Sequence, residues 1–86
     1  MRHDFTNSTS LRYADYDEAE KVLTVCFASG KEYMYEDVPK DIYQNLIDAN
    51  SAGKYFQSVI KPKYKVIDWV IKIKVLENTI NLLRIF

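Results

Sequence analysis

The sequence predicts a small α+β domain: a three-stranded antiparallel meander with two short helices packed on one face, then a C-terminal strand and/or helix. Three observations carry that reading. The run Val22-Leu23-Thr24-Val25-Cys26-Phe27 is β-branched and aromatic, as a half-buried strand requires. A glycine turn separates it from Tyr33-Met34-Tyr35, where two tyrosines recur at period two. Pro39 follows at once, and apolar residues beyond it recur at helical spacing. At 86 residues the chain supports one core, because two would each be too small to offset chain entropy.

Residues 1–9 are polar and read as a flexible arm. Leu11, Tyr13 and Asp15 then alternate with Arg12, Ala14 and Tyr16, a weak strand pattern, and Asp17-Glu18-Ala19-Glu20 is a polar loop. The turn after Phe27 fixes which side chains share a face, since a one-residue slip reverses them all. A two-residue turn at Ser29-Gly30 would set Cys26 opposite Tyr33. A three-residue loop, Ala28-Ser29-Gly30, sets Val25 opposite Tyr33 and Leu23 opposite Tyr35. It also gives the left-handed third position to glycine, which takes it freely. The second register gathers Leu23, Val25, Phe27, Tyr33 and Tyr35 on one face, so both tyrosines are expected in the core beneath the helices.

Pro39 suits the first turn of a helix, where its missing N–H costs nothing. Ile42, Tyr43, Leu46 and Ile47 form that helix's apolar stripe. Ser51 can cap a second helix. Gly53, a poor helix former, implies a close backbone approach. Tyr55, Phe56, Val59 and Ile60 make the apolar side, and Pro62 is expected to end the helix. Residues 67–75 alternate as a strand, although Val66, Ile67, Val70 and Ile71 also allow a helix, and residues 77–86 read as a terminal helix. The expected organisation is an arm over 1–9, a domain over 10–66 and an apolar extension over 67–86.

Apolar residues make up 48% of the chain and charged residues 28%, proportions of a soluble globular protein. No apolar segment follows the charged start as in a secretory signal, and no run is long enough to span a bilayer. The single cysteine, Cys26, cannot form an intramolecular disulfide and suits a reducing compartment, so a cytoplasmic protein is expected. Net charge is zero but uneven. Residues 1–50 hold five bases against ten acids, and residues 51–86 hold seven against two. Such a split suits either an anionic partner for the second half or attraction between the halves.

Enzyme chemistry finds little support in these residues. The only histidine, His3, lies in the expected arm, away from any Cys/His or Ser/His/Asp set. One cysteine and one histidine do not make a metal site, and no cofactor is expected. The acidic run Asp15, Asp17, Glu18, Glu20 lacks the glycine and spacing of a calcium loop. Neither glycine belongs to a phosphate-cradling motif. Cys26, without a basic neighbour, reads as a small core residue.

Binding is the better reading. Lys54, Lys61, Lys63 and Lys65 interleave with Tyr55, Phe56 and Tyr64. Cations that track phosphates beside rings that stack on bases are what a single-stranded nucleic-acid site uses. The candidate contacts are those four lysines for phosphates and Tyr64 for stacking. The same residues also read as a packed core, Tyr55 and Phe56, beside a solvated lysine loop.

The order of these features resembles the KTSC domain, a short module found at the C-terminus of some lysyl-tRNA synthetases and as free-standing bacterial or phage proteins. The residues that carry the resemblance are Ser10, Tyr16, Leu23-Thr24-Val25-Cys26-Phe27, Gly30, Tyr33-Met34-Tyr35, Val38-Pro39, Ala49, Ser51, Gly53, Tyr55, Phe56, Ile60 and Tyr64. Among these, Gly30, Tyr33, Tyr35, Pro39, Ser51, Gly53 and Phe56 are family-motif positions of structural type. The resemblance implies a non-catalytic module with an RNA-binding role suggested by the synthetase context. The alternative is a protein-interaction or homo-oligomer module that uses Trp69, Ile71, Ile73, Leu82, Leu83, Ile85 and Phe86 of the tail. No membrane partner is expected.

Overall fold

The computed structural model describes residues 1–67 of the chain. Strand β1 (Arg2–Asp4), β2 (Leu11–Asp17), β3 (Val22–Phe27) and β4 (Glu32–Tyr35) form one antiparallel sheet in the order β1-β2-β3-β4. Helix α1 (Lys40–Asp48) follows, then α2 (Ala52–Tyr55), a π-helical turn over Phe56–Ile60, and α3 (Lys61–Lys63). The expected meander is therefore present with a fourth strand added at its edge. Of the strand expected over residues 67–75 only residue 67 is described; the rest of it, the helix expected over 77–86 and the apolar tail lie outside the described residues.

Part of the expected N-terminal arm is strand. Arg2, His3 and Asp4 pair with Asp15, Ala14 and Tyr13 of β2. Two backbone bonds extend the pairing: Tyr16 N–H donates to Met1 C=O at 2.7 Å, and Phe5 N–H to Arg12 C=O at 2.9 Å. Polar composition concealed this because an edge strand needs backbone groups, not an apolar face. Arg2 also lies 3.9 Å from the centre of the Tyr13 ring, a cation–π contact on the outer face.

The β3–β4 register follows the three-residue loop. Val25 faces Tyr33 and Leu23 faces Tyr35. Phe27 N–H donates to Lys31 C=O at 2.9 Å, leaving Ala28-Ser29-Gly30 as the loop, and Gly30 takes φ +92°. In β2 a bulge between Leu11 and Tyr13 changes the alternation. It brings Leu11 onto the same buried face as Ala14 and Tyr16, where strict period two would have put it with Asp15.

The helices cover this face. Tyr43 and Leu46 of α1 are buried, with Ile42 and Ile47 packed beside them, as the stripe predicts. The Tyr16 hydroxyl donates to Val38 C=O at 2.6 Å, and the Tyr16 and Tyr43 rings stack at 5.2 Å. Burial pushes the phenols of Tyr16, Tyr35 and Tyr43 upward from their ordinary pKa. Pro39 is the N-cap of α1 rather than a residue of its first turn, with ψ 152°.

Ser51 caps α2 as expected, its hydroxyl accepting from Lys54 N–H at 3.3 Å. A Cβ on Gly53 would lie 2.9 Å from Ser10 Oγ and 3.1 Å from Ser10 Cβ, so the close approach is real. Pro62 does not end the helix. It sits in the first turn of α3, directly after the π turn in which Lys61 N–H reaches back five residues to Phe56 C=O. Beyond α3 the chain returns to the sheet beside β4. Glu36 N–H donates to Lys65 C=O at 3.2 Å and Ile67 N–H to Met34 C=O at 2.7 Å, with Val66 bridging Tyr35.

Candidate functional site

The two tyrosines of β4 share a face but differ in depth. Tyr35 is 4% exposed and meets Phe56 edge to face at 5.5 Å. Tyr33, expected in the core, is 38% exposed. It lies next to the hairpin loop, where its contact is Phe27, edge to face at 5.4 Å. Phe27 in turn meets Phe56 at 5.1 Å. These four rings form a chain from the core to the surface.

That chain floors a cleft of about 590 Å³ between the β3–β4 hairpin and the helices. Phe27, Tyr33, Tyr35, Phe56 and Val66 give it an apolar lining, and Ser29, Gln57, Lys31 and Lys61 supply the polar groups. Among the described residues its only charged lining groups are those two lysines, and neither has a carboxylate partner within ion-pair distance.

The lysines singled out in the sequence are divided by the fold. Lys61 reaches the aromatic cleft. Lys63, Tyr64 and Lys65 line a separate hollow of about 370 Å³ together with Glu36 and Asp37. Lys63 Nζ lies 5.6 Å from the centre of the Tyr64 ring. Lys54 is exposed on α2, its backbone N–H held by Ser51 and its carbonyl accepting from the Ser58 hydroxyl at 2.7 Å. Among the described residues no ion pair joins the acidic first half to these C-terminal lysines. Phe27, Lys31 and Gln57 were missed in the sequence. The register that pairs Phe27 with Lys31 beside Tyr33 contained the signal, had the loop end of the hairpin been read as open.

The residues considered for catalysis remain apart. His3 is in β1, its ring against Phe5 at 4.9 Å. Cys26 is buried on the face opposite the main core, across from Tyr13, and its thiol donates to Phe27 C=O at 3.6 Å. A hydrogen bond to Glu32 and some burial push the Tyr13 phenol up to about 12. Among the described residues no cluster of three or more His, Cys, Asp or Glu side chains is placed to hold a metal, and no helix is long and apolar enough to cross a membrane.

Known proteins place this fold. The model of the KTSC domain matches residues 7–64. An uncharacterised protein of Stutzerimonas stutzeri is 41% identical over 64 residues, covering 74% of this chain and 90% of that one. A lysine–tRNA ligase of Nostoc punctiforme is 34% identical over 55 residues, which cover 64% of this chain and 10% of the enzyme. The crystal structure of a KTSC domain protein from Yersinia pestis superposes with a TM-score of 0.72 at 29% identity, covering 79% of this chain and 94% of that one. With the family pattern spanning most of the described residues, and the same fold in a solved relative, the chain belongs to the KTSC domain family.

Proposed function

We propose that this KTSC domain is a non-catalytic module that binds single-stranded RNA on its lysine-bearing side. The observation that carries the reading is the aromatic-floored cleft whose only charged lining groups, among the described residues, are Lys31 and Lys61. Unpaired lysines beside an exposed ring combine the two interactions single strands use: charge for phosphates and a π-face for bases. Lys54 and Lys63 are exposed on the helical segment and Lys65 just beyond it, with Tyr64 between the last two, and all three add positive charge outside the cleft. The similarity to one segment of a lysine–tRNA ligase supports the same direction, since that enzyme's name places it with RNA.

The test is binding of a fluorescently labelled single-stranded RNA at a series of salt concentrations. Affinity should fall steeply as salt rises. Lys61→Ala with Lys63→Ala should flatten the log–log slope by about 0.7 for each phosphate no longer neutralised. No binding at low salt overturns the proposal.

A further inference from the structure

Among the described residues the cleft differs in charge from two other hollows of the molecule. The hollow at Tyr64 mixes its lysines with Glu36 and Asp37, and the one on the outer sheet face is lined by Asp15, Asp17 and Glu20. Carboxylates at those places repel a polyanion. Among the described residues the aromatic cleft has two lysines and no acid.

Its apolar part is also unusual. Three large hydrophobic residues are exposed among the described residues, and two of them, Tyr33 and Val66, line this one cleft. Tyr33 lies at the open end of a ring chain whose inner members, Tyr35 and Phe56, are buried. A planar aromatic guest entering here would gain ring contact with Tyr33 and Phe27 and remove Val66 from water. Gln57 and Ser29 add both donors and acceptors to the lining, which an apolar guest would leave unpaired and a base edge would satisfy. At about 590 Å³ the space is in the range of small-ligand sites.

We infer that this cleft receives one unstacked nucleobase of the single strand, its ring against Tyr33 and Phe27, with Lys31 and Lys61 holding the phosphates on either side. This rests on the RNA-binding reading above and adds to it a place, a stoichiometry of one base, and residues that charge alone does not select. The Lys63-Tyr64-Lys65 hollow then contributes little, because Glu36 and Asp37 oppose phosphate there.

The experiment compares two labelled probes on the full chain at low salt: a single-stranded RNA hexamer, and a hexamer with the same phosphates but abasic sugars. Tyr33→Ala should weaken the base-bearing hexamer about 5- to 150-fold and leave the abasic one unchanged. Tyr33→Phe should keep wild-type affinity, which separates ring loss from misfolding. Lys31→Ala and Lys61→Ala should weaken both probes. If Tyr33→Ala binds the base-bearing hexamer like wild type while Lys61→Ala weakens it, the RNA-binding reading stands and the base cleft falls. If the wild-type chain binds neither probe, the RNA-binding reading itself falls and takes the cleft with it. Nuclear Overhauser effects between Trp69 and Tyr33 in the free protein would show the chain's own C-terminal segment in the cleft, and would also overturn the inference.

Discussion

The two ends of the β3–β4 hairpin are built on one face with one alternation, yet they end differently. At the far end Leu23 and Tyr35 are buried in one core cluster with Phe56 and Val38, and Leu23 and Val38 are wholly inaccessible. At the loop end Phe27 is half-buried and Tyr33 exposed, and the cleft lies open between them and the helical segment. Period two tells which face a strand residue takes, but not how far the covering layer extends. In the proposed reading, the closed end serves stability and the open end serves binding.

Breaking the closed end should have the largest effect. Leu23→Ala removes a fully buried side chain and should cost about 2–5 kcal/mol, read from the shift of the urea midpoint. That is a large share of the stability of a domain this small. A cost below about 1 kcal/mol would show that this end is not as closed as its burial indicates.

The open end should break more gently, and at its backbone. Gly30 holds φ +92°, where a side chain is strained, so Gly30→Ala should cost about 1–2 kcal/mol. The cost should appear with chemical-shift changes at Phe27, Lys31 and Tyr33 and little change at Leu23. Equal changes at both ends would mean that they are not separate regions.

Alkaline pH sharpens the comparison with the smallest effect. The Tyr35 phenol is pushed upward by burial, and Tyr16 and Tyr43 respond in the same way. A raised folded-state pKa means the folded chain keeps protons that the unfolded chain has released. Stability is then complete below the unfolded tyrosine value of about 10 and is lost as pH rises above it. Urea midpoints measured from about pH 8 to about pH 11 should be flat at first and then fall. A midpoint that rises in that range would contradict the burial of these phenols.

Much of the fold was legible because local chemistry and pattern agreed. Gly30 fixed the loop length, the loop length fixed the register, and Ser51 and Gly53 marked a cap and a close contact. β1 was not legible: an edge strand held by backbone bonds leaves no apolar period in Arg2-His3-Asp4. Nor was the bulge that brings Leu11 inward, since one extra residue reverses the alternation that would reveal it. The site was half legible. Lys61, singled out for its charge, does line the candidate cleft, whereas Phe27 and Lys31 join it only through the tertiary arrangement. The grouping of Lys63 and Lys65 with Glu36 and Asp37 is a tertiary fact that no local spacing reports.

The π turn before α3 has a consequence in counting. In a regular α-helix the fifth residue after Phe56 would lie about 140° around the axis from it. Bonding Lys61 N–H to Phe56 C=O places that fifth residue just over one full turn on, so the lysine and the ring attend the same cleft. The turn works as a one-residue spacer. Deleting a single residue between them would hand the lysine's place to Pro62, exchanging a cation for a side chain with no charge and no donor.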